Sequence, residues 1–379
     1  MLSYWEKSSF LHYDYIIIGS GIVGLSAALS LKTLAPQSSV LVLERGMLPT
    51  GASTKNAGFA CIGSLTEILA DLKTMPPAQV VELVNLRRTG LQLLRSRLGD
   101  ENIGYKENGS FELIGTKEEG ALEQLSAVNV LLNELFDGQP AFTRVDYLID
   151  SFGFHKPAVS ALISNNFEGE LHTGKMMKAL INLALRNGIE IKTGCEVTEI
   201  NDYNTSVGVA VHDALMREEI VFSAKKVLVC TNAFTRKLLP SEPLVPGRGQ
   251  VLITDPIPDL PFKGVFHMEE GYYYFREIDG RVLFGGGRQL DFEGETSTEF
   301  RFNDRIQQEL NHLLQTVILP GRNFSIADRW TGIMAFGETK QPLIHHYSDN
   351  VIVGVRMGGM GVAIGSKVGE MIAGMTFNS

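Results

Sequence analysis

The chain has 379 residues with a net charge of −9, an acidic balance that leaves no basic face for a nucleic acid. Hydrophobic residues make up 44% and charged residues 20%, as in a soluble globular protein, and the length calls for two lobes rather than one core. Three widely spaced cysteines, Cys61, Cys195 and Cys230, make neither a disulfide framework nor a zinc site and fit a reducing cytoplasm.

In chain order, MLSYWEKSSFLHYDY has neither the basic start nor the apolar stretch of a secretory signal, and no later apolar run approaches a membrane span. A cytoplasmic protein without an integral membrane segment is expected. Residues 15–18 (YIII) suit a buried parallel strand. Gly19, Gly21 and Gly24 follow in G-x-G-x-x-G spacing. The first permits the tight turn, the second lets a pyrophosphate approach the backbone, and the third lets the next helix pack on the strand. Residues 22–31 supply that helix, whose first amides, Ile22 and Val23, face the phosphates. A second apolar strand, residues 40–44, ends in Glu44, placed to accept bonds from the hydroxyls of an adenosine ribose. Strand, glycine turn, helix and closing acid together predict dinucleotide binding.

The next loop, RGMLPTGASTKNAGFACIGS, is long and rich in small residues, and such a loop beyond a nucleotide-binding strand is expected to be functional. Residues 76–98 read as a helix, residues 109–116 as a strand and KEEGALEQLSAVNVLLNELF as a second helix, which breaks the βαβ rhythm as an inserted domain does. The rhythm returns over residues 169–200, with a helix, a Gly188 stop and the short strand IEIKTG. KKVLVCTNAF is an apolar strand running into Thr231, Asn232 and Ala233, a further strand-to-helix turn of the nucleotide domain. GRGQVLITD, GYYYFREIDGRVLFGGG and RWTGIMAFG read as antiparallel strands, with Asp279-Gly280 a type I′ hairpin signal. In the second of these, Tyr272, Tyr274 and Arg276 share one face, Tyr273 and Phe275 the other. His345-His346 reads as a surface turn, and NVIVGVRMGGMGVAIGSKVGEMIAGM closes the chain as strand, glycine-rich turn and helix. The fold expected is α/β, with a Rossmann-like dinucleotide domain whose parallel sheet is discontinuous in sequence (residues 1–75, 165–238 and 328–379). A mixed-sheet α+β substrate domain takes residues 76–164 and 239–327.

In this order, and over nearly the whole chain, these segments resemble the D-amino-acid oxidase (DAO) superfamily of flavoproteins. The closest resemblance is to its glycine oxidase, sarcosine oxidase and gamma-glutamylputrescine oxidase branch. The motifs that carry it are DYIIIGSGIVGLSAALSL with VLER, GASTKNAG, GELHTGKMMKALINLALRNGIEI with GCEV, YYYFREIDGRVLFGGG, RWTGIMAF, and MGGMGVAIGSKVGEMIA. The resemblance implies an FAD-binding domain, with FAD held non-covalently, since the WTGIMAF region contains no cysteine. It implies that Arg45 stands beside Glu44 at the adenosine and that the Val197 backbone meets the adenine. Gly51, Ala52, Ser53, Lys55, Asn56, Ala57 and Gly58 then wrap the flavin, and Gly332, Gly358, Gly359, Met360, Gly361 and Val362 lie at the isoalloxazine. A helix starting near Val362 aims its positive end where negative charge gathers on reduction. A nicotinamide enzyme has no need of this second glycine-rich turn.

The activity implied is oxidation of a carbon–nitrogen bond in a small-molecule amine or amino acid. Hydride passes to flavin N5, the imine hydrolyses, and oxygen or a quinone takes the electrons. Lys55 matches a basic position that favours reaction with oxygen. Met334 stands where the amino-acid oxidising members carry an arginine for the substrate carboxylate, which turns the expectation toward an amine or a carboxylate held elsewhere. Arg356, where relatives have a small residue, is either a relocated anion clamp or a structural arginine paired with an acid. Tyr272 and Tyr274 are placed to roof the substrate, and Arg248 is structural. Two alternatives stay open. One is carbon–oxygen oxidation, as in the 2-hydroxy-acid and polyol-phosphate dehydrogenases of the superfamily, which need a base although no histidine falls in a motif at the flavin. The other is a non-catalytic flavoprotein subunit. No metal site and no oligomeric state is read.

Overall fold

The computed structural model describes residues 2–213 and 218–377. Its first sheet has a parallel centre in the order Val351–Val355, Glu218–Val229, His12–Ile18, Val40–Leu43 and Glu190–Lys192. Where both faces are covered, at residues 16–18, 40–43, 227–229 and 351–355, the runs carry no polar side chain. Ile17 pairs with Leu228 on one side and Val42 on the other, and all three face the helices. Ile16, Leu41 and Val227 face the opposite way, onto a core shared with the antiparallel strands Val197–Asp202 and Val207–Asp213. Leu343–His346 adds an antiparallel edge to Val351–Val355, so the histidine pair belongs to a strand rather than a surface turn, and His345 Nε2 lies 3.0 Å from Glu242.

Helices Ile22–Leu34, Pro77–Leu98, Thr173–Arg186 and Gly361–Met375 cover the first face. The first and last cross closely at two glycines. A Cβ on Gly369 would lie 2.6 Å from the Val23 carbonyl oxygen, one on Gly365 2.8 Å from the Ile22 side chain, and the Ser26 and Ser366 hydroxyls are 3.2 Å apart. Gly90 brings Pro77–Leu98 equally close, since its Cβ would meet the Ala363 carbonyl oxygen at 2.2 Å.

The second sheet is mixed, in the order Ile326–Phe336, Val245–Thr254, Arg281–Gly286, Tyr273–Ile278, Val265–Met268, Ser110–Ile114, Ala161–Asn165 and Phe142–Arg144. Only the pairing of Val265–Met268 with Ser110–Ile114 is parallel. One face buries an aromatic cluster in which Phe266 stacks on Phe275 at 4.6 Å. The hairpin at Asp279-Gly280 has φ of 52° and 72°, the two left-handed residues that a type I′ turn requires. Strand Ile326–Phe336 runs beside Val245–Thr254 along its whole length, so position 328 falls inside a strand of the second sheet. That strand also reaches the first domain, with Ile333 and Ala335 buried in its core. Among the described residues no helix is long and apolar enough to cross a membrane.

Gly90→Val forces a branched side chain against the Ala363 carbonyl. It is expected to cost about 3 kcal/mol, the upper part of the range for overpacking, read as a lowered urea midpoint at constant slope. Gly374→Val, where a Cβ meets nothing within 4 Å, is the control and is expected to leave the midpoint in place.

Candidate active site

The carboxyl ends of the parallel strands and the free face of the second sheet enclose a cavity of about 690 Å³, within the size range of cofactor and ligand sites. Its floor is the first glycine turn. Gly19 has φ of 106° and approaches the Cys230 carbonyl so closely that a Cβ would sit 2.8 Å from it. A Cβ on Gly24 would lie 1.9 Å from the Gly19 carbonyl oxygen, so Gly24 packs the turn from behind while Gly19, Gly21, Ile22 and Val23 line the cavity. Glu44 is buried with both oxygens engaged: Oε2 accepts from the Ser20 amide at 3.1 Å and hydroxyl at 2.7 Å, Oε1 from the Gly46 amide at 3.0 Å. Arg45 stacks its guanidinium 3.6 Å over Phe234, and Val197 lines the same end.

Gly51, Ala52, Ser53, Lys55, Asn56 and Ala57 form one side wall. The Ser53 hydroxyl accepts from the Ile22 amide at 3.0 Å. Asn56 Oδ1 accepts from the Gly58 amide at 2.9 Å and the Thr173 hydroxyl at 2.8 Å. Gly58 itself lies behind the wall, with φ of 76° and room for no Cβ against Leu171. The second sheet holds this loop by two contacts: Trp330 Nε1 donates to the Lys55 carbonyl at 2.9 Å, and Gly332 lets Lys55 approach to where a Cβ would be 3.2 Å away. The W-x-G motif is therefore an anchor for the loop. The Lys55 ammonium lies 5.3 Å from the Phe300 ring centre.

Thr231, Asn232, Gly358, Gly359, Met360, Gly361 and Val362 complete the cradle, with Ala233 buried behind it. Asn232 has φ of 46° and its Oδ1 accepts from the Arg356 amide at 3.1 Å. Arg356, itself at φ 66°, turns its guanidinium back onto the chain. It donates to the carbonyls of Gln341 at 3.1 Å and Pro243 at 3.2 Å, and among the described residues it pairs with no acid within 4 Å. Helices Ile22–Leu34 and Gly361–Met375 both begin at this cavity, and neither N-cap residue, Gly21 or Met360, caps its helix with a side chain, although Ser53 accepts from the Ile22 amide. Their first amides therefore lack intrahelical acceptors, and both positive ends point to one space. A Cβ at Gly51, Gly358 or Gly359 would project into open room. Two helix N-termini and three bare glycines fit a flat cofactor carrying a diphosphate.

From the second sheet, Tyr272, Tyr274, Met334 and Phe336 face the cavity. Tyr273 and Phe275 point the other way into the aromatic core. Burial pushes the Tyr274 phenol up to about 12, so it is a neutral hydrogen-bonding group. Arg276, on the Tyr274 face, donates to the Leu171 carbonyl at 2.8 Å and to Gly58 at 3.1 Å, and Arg248 pairs with buried Glu295 at 2.7 Å.

Sequence reasoning missed the back wall. Cys61, Glu168 and His267 come from three distant segments and place their donor atoms within 4.8 Å of one another, all buried. Burial, and then the Glu168 carboxylate, push the Cys61 thiol up, while burial pushes the His267 imidazole down and keeps it neutral. Glu168 Oε1 accepts from the amides of Ile62 at 2.6 Å and Gly63 at 3.0 Å. Cys61 and His267 line the cavity. No short motif links the three, so no spacing in the sequence announces them.

Comparison with known proteins agrees with this geometry. A family model described as FAD dependent oxidoreductase (DAO) matches residues 14–375. The chain is 26% identical to a mitochondrial L-2-hydroxyglutarate dehydrogenase of Nematostella vectensis over 372 residues, covering 87% of this chain and 74% of that protein. Among solved structures, an L-proline dehydrogenase from P. horikoshii superposes with a TM-score of 0.77 at 17% identity, covering 96% of this chain and 92% of that one. A glycine oxidase from Geobacillus kaustophilus gives 0.76 at 18% identity, covering 97% and 95%.

Gly359→Val adds a side chain only to the open cradle. The apoprotein is expected to unfold at the wild-type temperature while FAD affinity falls at least about tenfold, some 1.4 kcal/mol, measured by flavin fluorescence on titration. Unchanged affinity would place the cofactor elsewhere.

Proposed function

This chain belongs to the FAD-dependent oxidoreductases of the DAO family, and on that premise we propose that it oxidises a carbon–nitrogen bond of an amine or amino acid. FAD bound non-covalently in the cradle supplies a two-electron acceptor for a hydride from the substrate carbon. The observation that carries the reading is the largely apolar roof of Tyr274, Met334 and Phe336 beside the closing glycine turn. Low polarity there disfavours a substrate ammonium and holds the amine neutral, the form whose nitrogen lone pair assists departure of the hydride. The roof sets the substrate carbon against the cofactor and keeps water out, and the Tyr274 hydroxyl orients the amine. Lys55 keeps a positive charge at the cofactor's edge, where it favours oxygen as electron acceptor.

His267 supports a second reading. A buried, neutral imidazole lining the cavity is a base for a hydroxyl proton, and oxidation of a 2-hydroxy acid needs one. The mitochondrial relative, named for L-2-hydroxyglutarate, points the same way.

Anaerobic bleaching of the flavin absorbance separates the two. Amines, N-methyl amino acids or D- and L-amino acids are expected to bleach the protein, with colour and peroxide returning in air. Colour returning only with a quinone would identify a dehydrogenase, and bleaching by 2-hydroxy acids alone would sink the carbon–nitrogen reading. His267→Ala sharpens the comparison. It is expected to leave amine-driven bleaching within about threefold of wild type, whereas a catalytic base for a hydroxyl contributes about 10²–10⁴-fold.

A further inference from the structure

We propose that Arg288 is the residue that grips the substrate, through a carboxylate, so that this enzyme acts on an acid-bearing substrate. Among the described residues four arginines line the cavity: Arg45, Arg87, Arg288 and Arg356. Arg45 lies at the Glu44 end, stacked on Phe234. Arg87 donates to the Ile62 carbonyl at 2.8 Å and pairs with Glu67 at 3.0 Å. Arg356 is spent on backbone carbonyls. Arg288 differs from these last two. Among the described residues its guanidinium has no salt bridge within 4 Å, and its Nε is buried without a hydrogen-bond partner.

Its surroundings hold the charge in place without neutralising it. Arg288 follows strand Arg281–Gly286, whose end closes on the sheet at Gly287 with φ of 81°. The guanidinium carbon lies 4.0 Å from the ring centre of Phe336 and 5.1 Å from that of Phe292. It passes over Gly247, where a Cβ would be 3.0 Å from it, and Gly247 is the register partner of Met334. The charge therefore lies beside the apolar roof. Glu295 cannot meet it, being fully buried and shared between Arg248 at 2.7 Å and Gln250 at 3.0 Å. Tyr272 offers a phenolic hydroxyl on the same wall.

A guanidinium with its fork of donors costs free energy when taken from water without acceptors. Aromatic faces recover part of that, but only along the ring normals, so the Nε–H stays buried without an acceptor and, among the described residues, the other in-plane N–H groups have no protein partner. A planar carboxylate arriving in the cavity satisfies them in a bidentate pair, and the two rings preset the fork's orientation. Selectivity follows. A neutral amine leaves the donors unmatched, whereas an amine bearing a carboxylate fills them.

The inference rests on the cavity being the substrate site of an FAD oxidoreductase, but not on which bond is oxidised, since a 2-hydroxy acid carries the same carboxylate. The test uses the yellow holoenzyme and redox-inert probes: benzoate, acetate and 2-oxoglutarate, with benzamide as the neutral match for benzoate. Binding is read by calorimetry and by perturbation of the flavin spectrum. Wild type is expected to bind at least one carboxylate saturably and benzamide far more weakly. Arg288→Met should weaken that carboxylate about 10- to 100-fold, the value of charge-assisted bonds, with FAD content and unfolding midpoint unchanged. Arg288→Lys, which keeps the charge and loses the fork, should fall between. No carboxylate binding by wild type, undiminished binding by Arg288→Met, or loss of FAD from both variants would overturn the assignment. Failure of the carbon–nitrogen reading shows instead in the bleaching panel, where 2-hydroxy acids alone react.

Discussion

Helices Ile22–Leu34 and Gly361–Met375 meet backbone to backbone at Gly369 and backbone to the Ile22 side chain at Gly365, and the site depends on that contact. Each helix follows a parallel strand, His12–Ile18 and Val351–Val355, with Glu218–Val229 between them in the sheet. Crossing so closely, they bring two helix N-termini to one cavity. Like-signed dipole ends repel when they converge, and dispersion between bare backbones offsets this only in part. An anionic cofactor removes the rest. The arrangement that costs stability in the empty protein is the one that binds FAD.

A second constraint ties the cofactor loop to the substrate sheet. Trp330 holds the Lys55 carbonyl, and Arg276 spans the carbonyls of Gly58 and Leu171. The loop is thereby positioned by the sheet that roofs the substrate. A charged network closes the neighbouring wall: burial opposes ionisation of Glu67, but Arg87 and Lys340 outweigh it and hold its carboxyl down at about 2. Lys340 reaches Asp71 at 2.6 Å as well, joining helix Leu65–Thr74 to the segment just before the edge strand. These fixed charges are matched within the protein, which is why Arg288, left without an acceptor, stands out against them.

Much of the cradle was readable before any coordinates. Gly19, Gly21 and Gly24 lie within one strand–turn–helix unit, and what they do is local: permit a positive φ, bare a backbone, admit a helix. The alternation of Tyr272 and Tyr274 against Tyr273 and Phe275 needs only the period of a strand. The hairpin at Asp279-Gly280 needs only two residues that tolerate left-handed φ. Family membership followed from several such local features in a fixed order, each tied to backbone geometry rather than to a distant partner.

What the tertiary structure alone decided are the meetings of distant groups. Cys61, Glu168 and His267 share one buried corner though no spacing joins them. His345 became part of an edge strand because Val351–Val355 was there to pair with it. Arg356 lines the cavity with its guanidinium folded back onto the Gln341 and Pro243 carbonyls, while Asn232 accepts from its amide. Arg288 kept its charge for the cavity because Glu295 was already taken by Arg248. Backbone conformation is dictated by neighbours in sequence and is legible there. The fate of a charge depends on which acceptors long-range packing leaves free, and only the folded chain determines that.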